Sequence, residues 1–201
     1  AVTRLDSFPQ CSAASVDYEQ AAYLSTRHLL ERGHTRIGLI KAFRGYQSGL
    51  ERRRGYERAL QEAGLPVDES LIRPVTFDSH SIVNSVHALL SDRSVTALID
   101  TSSTEDPVVL REGARRAGRR FGTELEIVVW TYRYDTVVLP EACAHMCLPL
   151  RQASAEGLEH LAAWIEGRRE GPIQLLYQPT LLETPREAPF NDTLRVFHET
   201  G

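Results

Sequence analysis

The strongest local feature of the sequence is Glu51-Arg52-Arg53-Arg54 at the opening of a predicted helix. Cations sit unfavourably against the positive amino end of a helix dipole, so at least one arginine is expected to bind a carboxylate or a polar ligand in a cleft. At about 100° per residue Arg52 shares a side with Tyr56 and Ala59, the face expected inward, while Arg53 and Arg54 flank it on a solvated basic face. Cys143 and Cys147 stand four apart, a spacing two thiolate ligands could use, but no compact Cys/His set completes a tetrahedral site and packing explains both more simply. His34 follows Gly33 at a helix-to-strand turn and reads as a cap or packed polar side chain. Asp78 and His80 fall in a rim loop where they could meet a ligand, or cap a helix beside solvent. Phosphate loops of the GxGxxG or GxxxxGK[ST] type, HExxH and the GxSxG elbow are all missing. Binding without catalysis, metal or cofactor is the expectation.

These residues need elements to position them. Asp17–Glu31 carries Ala21, Leu24, His28 and Leu29 at helical spacing, with Asp17 as cap and Gly33 as stop. RIGLIKA at 36–42 reads as a strand buried on both faces, 51–63 as a helix ended by Gly64, and 79–90 as a helix through Ile82, Val83, Val86, Leu89 and Leu90. LIRPVT at 71–76 is a weaker strand, and Pro74, lacking a donor, predicts a sheet edge. VTALID at 95–100 and ELEIVVW at 124–130 read as interior strands, separated by a helix through Leu110, Gly113, Ala114 and Ala117. Residues 131–149 show no clear period. A helix from 153 to 165 presents Gly157, Leu158, Leu161 and Ile165 inward, and 173–183 is a strand pair or a bent strand broken by Pro179.

Strands and helices alternate, and the strands carry runs of Ile, Val and Leu, which predicts an α/β three-layer sandwich around a parallel sheet. Ligands of such folds sit beyond the carboxyl ends of the strands, here near 43–54, 77–80, 101–106 and 131–135. The composition is that of a globular domain, with 42% hydrophobic and 25% charged residues. The formal charge of -4 advertises no nucleic-acid surface and leaves open a local basic patch, and the three cysteines, Cys11 included, are too few and too odd for a disulfide framework. No apolar run reaches the length of a bilayer span and no leader opens the chain, so a cytoplasmic location with no membrane contact is expected.

The order Val16-Asp17, Gly33-His34-x-x-Ile37-Gly38 and Arg52-x-x-Gly55-Tyr56-x-x-Ala59-Leu60-x-x-Ala63-Gly64 resembles the effector-binding core of the LacI/GalR family of bacterial transcriptional regulators. The likeness continues through Val95–Ile99, Ala114-x-x-Ala117-Gly118, Glu126–Val129, Pro149-Leu150 and Ile165-Glu166-Gly167, covering about 16–183. It implies a type I periplasmic-binding-protein-like fold with an incomplete first lobe: residues 1–33 and 146–183 in that lobe, 34–145 as the carboxy-terminal lobe, and 184–201 as a tail. The implied partners are a small-molecule effector in the interlobe cleft, a second copy in a homodimer, and operator DNA through a domain missing from the chain.

Position by position, Arg52 matches the family's cleft arginine, which holds polar groups of a sugar or nucleobase. Ser103, with Ser102 beside it, falls where the family commonly has an acidic residue. Trp130-Thr131-Tyr132-Arg133 replaces the family's usual glycine, aromatic and two acidic residues, so Trp130 or Tyr132 would either stack or belong to the core and Arg133 supply a cation, favouring an aromatic or anionic effector over a neutral sugar. Asp78 completes the candidate effector-binding set. The alternatives are a stand-alone metabolite-binding protein and an α/β enzyme without a recognisable motif.

Overall fold

Alternate residues of each central strand bury on opposite faces, and that period of two divides the apolar residues into two cores. The computed structural model describes residues 12–42, 47–76, 78–102, 106–132, 139–168 and 171–184. Its main sheet contains β2 (Ile37–Ala42), β3 (Ile72–Val75), β4 (Ala97–Asp100), β5 (Glu126–Thr131), β6 (Ala144–Cys147) and β8 (Thr180–Glu183), in the order β3-β2-β4-β5-β6-β8. All neighbours are parallel except β6 and β8. Ile40, Leu98, Ile127 and Val129 belong to one core, shared with Ile82, Val86 and Leu90 of α3 (Ser79–Ser91) and Leu110 of α4 (Pro107–Arg116). Leu39, Ile99, Val128 and Trp130 belong to the other, shared with Leu29 of α1 (Tyr18–Glu31) and with Tyr56 and Leu60 of α2 (Gln47–Glu62). A sheet covered on both faces is a three-layer sandwich.

Local signals placed most of these elements. Asp17 caps α1 by accepting from the Gln20 amide at 2.8 Å, and Asp106 caps α4 ahead of Pro107 at its first position. Pro74 lies on β3 opposite Lys41, and β3 is an edge strand, where a missing donor costs no ladder bond. β6 was not legible: four residues, Ala-His-Met-Cys, all buried, show no alternation of polar with apolar side chains.

A smaller unit pairs β1 (Ala13–Val16) in parallel with β7 (Gln174–Tyr177) and packs α5 (Leu150–Ile165) against them. The 173–183 segment is thus two strands, one in each sheet. Contacts group α1 with the main sheet. α1 lies against α2 and reaches β4, β5 and β8, because Ala21, Ala22 and Leu29 are buried in the core of the main sheet. The change of sheet falls between β1 and α1, and β8 rejoins the main sheet. On α5 the stripe expected inward is covered only at Gly157, half-buried beside Ala14: Leu158 and Ile165 are 66% and 77% exposed, and the buried residues of the helix are Ala153 and Ala163.

Candidate functional site

Arg52 projects from the first half of α2, yet it is 2% exposed and belongs to the largest fully buried side chains. Its guanidinium carbon stands 4.7 Å from the ring centroid of Tyr18 and 5.3 Å from that of Trp130. The two rings are nearly parallel, 11° apart with centroids at 6.3 Å, so the cation rests on an aromatic shelf. The shelf is fixed from below. Trp130 Nε1–H donates to Ser25 Oγ at 3.0 Å, Ser25 Oγ–H donates to the Ala21 carbonyl at 2.8 Å, and Tyr56 O–H donates to the Ile37 carbonyl at 2.8 Å.

Burial lowers the Arg52 pKa, against the raising influence of Tyr132, Tyr18, Glu51 and Asp100, and an arginine remains charged through any such shift. Burial likewise pushes the Tyr18 hydroxyl up to about 12, which keeps it neutral. Arg52 Nε and Nη1 are buried without a hydrogen-bond partner. A buried cation with open donors is costly unless an acceptor arrives, so this arrangement is suited to receiving one.

Asp100 ends β4 at the same, carboxyl, end of the sheet and is fully buried. Ser102 donates to its Oδ1 twice, from the amide at 3.0 Å and from the hydroxyl at 2.6 Å, while Oδ2 has no partner. Burial pushes this carboxyl up to about 6, with the Ser102 bonds and the Arg52 charge pulling the other way.

The expected site residues separate as follows. Arg52, Trp130 and the half-buried Tyr132 come together through contact or charge. Trp130 is wholly buried and holds up Arg52, so it offers no free face for stacking. Ser102 is placed at the strand end, where it holds Asp100. Asp78 is spent locally: Oδ1 accepts from the Ser81 amide at 2.7 Å as the cap of α3, and Oδ2 accepts from the Thr76 hydroxyl. Ser103 and Arg133 lie outside the described residues. Arg53 pairs with Glu57 and Glu69, and Arg54 with Glu19 at 2.8 Å, so the flanking arginines tie α2 to its surroundings rather than forming an open basic face. His34 is a packed polar side chain between Glu126, at 3.1 Å, and Thr96, at 2.9 Å. Cys143 donates to the Ile127 carbonyl and Cys147 is buried, a packing role for both. Among the described residues no group of His, Cys, Asp or Glu is placed to hold a metal, and no helix is long and apolar enough to cross a membrane.

Tyr18 and Asp100 were missed from the sequence. The available signals were an aromatic directly after a capping Asp17, and a carboxylate closing an otherwise apolar strand. A cavity of about 830 Å³ lies at the opposite end of the sheet, lined by Arg32, Glu126, Cys143 and Glu183 among others.

With this geometry, likeness to known proteins becomes informative. The model of the family "Periplasmic binding proteins and sugar binding domain of LacI family" matches residues 4–175, and the chain belongs to that family. Among curated relatives, the HTH-type transcriptional regulator DegA of Bacillus subtilis (strain 168) is 26% identical over 180 residues, covering 88% of this chain and 52% of that protein. Catabolite control protein A of Priestia megaterium is 29% identical over 139 residues, 68% of this chain and 42% of that one. The chain thus spans about half the length of the curated relatives it matches. Among solved structures, the transcriptional regulator CelR in complex with cellobiose superposes with a TM-score of 0.74 at 26% identity, covering 88% of this chain and 54% of that one. A LacI-family regulatory protein from Chloroflexus aggregans gives 0.75 at 24% identity, with 88% and 64% covered, which shows the shared fold.

Proposed function

We propose that the chain is the effector-sensing and dimerisation core of a cytoplasmic LacI/GalR-type transcriptional regulator. A small polar metabolite binds in a cleft above the carboxyl ends of β2, β4 and β5, and operator recognition is carried outside these 201 residues. The observation that carries the reading is Arg52: a cation buried on an aromatic shelf, with open donors, at the end of the sheet where ligands of this architecture bind. Effector binding shifts the balance between two lobe arrangements and so the spacing of the DNA-reading heads of a homodimer. Family membership and the likeness to transcriptional regulators longer than this chain support this role.

A thermal-shift screen against sugars, nucleobases and organic acids tests it, since a ligand at 100 times its Kd adds about 2.7 kcal/mol to native stability. At least one compound is expected to raise the melting temperature. Arg52→Ala should weaken that compound by about 1.5–3 kcal/mol, the value of a lost charge-assisted bond, with the fold retained. Equal affinity for wild type and Arg52→Ala in calorimetry rejects the site.

A further inference from the structure

Among the described residues the buried arginines are Arg52 and Arg119, and they stand at opposite ends of the main sheet. Arg119 lies at the amino end of β4, where its Nη1 donates at 2.5 Å to the carbonyl of Val95, two residues before the strand. Each keeps a buried Nε without a hydrogen-bond partner. In an arginine Nε and Nη2 form the fork that grips two oxygens of one carboxylate or phosphate. Arg32 presents that fork to Glu126, Arg111 to Glu141 and Arg115 to Glu112. The fork of Arg119 has only Glu124, whose Oε2 stands 3.9 Å from Nε, beyond hydrogen-bond reach.

More positive charge gathers around Arg119 than the fold uses. Arg93, in the turn between α3 and β4, and Arg120, in the turn between α4 and β5, are exposed and make no hydrogen bond or ion pair among the described residues. A Cβ added at Gly118, the residue before Arg119, would stand 3.5 Å from Arg93 Nη2, and the Arg93 charge adds to burial in lowering the Arg119 pKa, so two like charges are held close. The helix end does not call for them. The Gly118 and Arg119 amides already donate to the Arg115 and Ala114 carbonyls, at 2.9 and 3.0 Å, and Arg115 and Arg116 in the last turn of α4 answer its dipole. Asp92 is spent as well, with Oδ1 accepting from the Ser94 amide and hydroxyl and Oδ2 from Arg36.

We propose that Arg93, Arg119 and Arg120 form a second ligand site, for the phosphate dianion, at the amino end of β4. Arg119 grips two oxygens through Nε and Nη2, and Arg93 and Arg120 close on the others from their two turns. Charge selects the class: three cations face one half-exposed carboxylate, Glu124, so a dianion neutralises the excess and a monoanion does not. Inorganic phosphate and a phosphomonoester bring the same group. Arg119 and Arg120 also line a cavity of about 370 Å³ with Val108, Ala114 and Phe121 among its walls, which gives an organic substituent a place to lie. The site stands apart from the cleft and does not depend on how the cleft is read.

Calorimetry on the full chain in a phosphate-free buffer tests it, with inorganic phosphate, glucose 6-phosphate, acetate and a duplex oligonucleotide as probes. Wild type should bind the phosphate group with a Kd of about 1 mM or tighter, and acetate ~10-fold more weakly. Arg93→Ala and Arg120→Ala should each weaken phosphate ~3–10-fold, and Arg119→Lys, which keeps the charge and loses the fork, ~10-fold. Glu124→Gln, by removing the competitor for Arg119, should tighten it ~2–5-fold. Arg52→Ala should leave it unchanged. Equal affinity for the two phosphate probes marks the free ion as ligand and a preference for glucose 6-phosphate marks a phosphomonoester, and either supports the site. Phosphate affinity that survives Arg93→Ala and Arg120→Ala, or is lost in Arg52→Ala, overturns it, the latter by moving phosphate to the cleft. Acetate binding as tightly as phosphate overturns the dianion class. No saturation by either phosphate probe at about 10 mM overturns the site, and an oligonucleotide that saturates where phosphate does not makes this face a nucleic-acid surface instead. If Arg119→Lys fails to fold, the exposed positions Arg93 and Arg120 decide.

Discussion

Helices α1 and α5 are of similar length, 14 and 16 residues, and each carries an apolar stripe at helical spacing, yet they end in opposite circumstances. Ala21, Ala22 and Leu29 of α1 are fully buried against the main sheet and α2. Leu158, Leu161, Trp164 and Ile165 of α5 are exposed, because β1 and β7 offer only two strands of four residues each. Periodicity establishes that a helix has an apolar face; the number of strands available decides whether that face is covered. The residues of the candidate site follow the same division. Trp130 and Asp100 stand on the covered sheet, and Tyr18 and Arg52 on the helices packed against it, a setting whose rigidity can hold a cation on a shelf and a carboxylate in a fixed turn.

Truncating equivalent leucines would break this contrast most directly. Leu29→Ala should cost about 2–5 kcal/mol, the range for deleting a fully buried leucine. Leu158→Ala should stay within about 0.5 kcal/mol, as expected for an exposed position. Denaturant unfolding of both variants measures the difference, and similar losses would mean that α5 is covered in solution. A second pair of substitutions is subtler. A Cβ at Gly55 would stand 2.0 Å from the Glu19 carbonyl oxygen and 2.8 Å from the Tyr23 nitrogen, both backbone atoms, so α1 and α2 must separate to admit it. Gly55→Ala is therefore expected to destabilise by about 1–3 kcal/mol. At Gly157 the nearest atom is the Ala14 Cβ at 3.1 Å, and the helix propensity gained, about 1 kcal/mol, offsets that crowding. Gly157→Ala should come out near neutral in the same unfolding measurement.

The sheet was legible from sequence where strands are long runs of Ile, Val and Leu, as in β2, β4 and β5, and where a cap or stop marks a helix end, as at Asp17, Asp78 and Gly33. β6 was not, because four residues buried on both faces carry no period to read. Of the candidate site, the inward direction of Arg52 was legible from its helical spacing to Tyr56, although α2 begins at Gln47 and Arg52 lies more than a turn inside it rather than at its start. Its shelf was only half so. From sequence Trp130 reads as a stacking surface for a ligand or as core; it is core, with its ring beneath Arg52 and its N–H committed to Ser25, 105 residues away in sequence. Tyr18 and Asp100 needed the register that brings a helix start and a strand end into one place.

Titration gives the smallest effect and the sharpest separation of the two regions. Burial raises the Asp100 carboxyl to about 6, above its value of about 3.8 in the unfolded chain, so the folded protein binds the proton first. Its contribution to stability is fully present below the unfolded pKa and is lost as pH rises through about 6. His28 and His145 act in the opposite sense, since burial lowers both and their contribution is lost as pH falls. A profile of wild type alone would mix the two, but subtracting Asp100→Asn, which keeps both histidines, isolates the carboxyl. Relative to that variant, wild type should gain about 1.4 kcal/mol between pH 8 and pH 5. In the small unit, Glu156 accepts from the Tyr177 hydroxyl at 2.5 Å, and that bond lowers its pKa, so Glu156 titrates below the same window. Glu156→Gln should leave the profile between pH 8 and pH 5 unchanged. Paired urea titrations at the two pH values check both expectations: a profile that moves with Glu156 and not with Asp100 would place the buried ionisable group in the small unit, and the shelf at the end of the main sheet would lose its carboxylate.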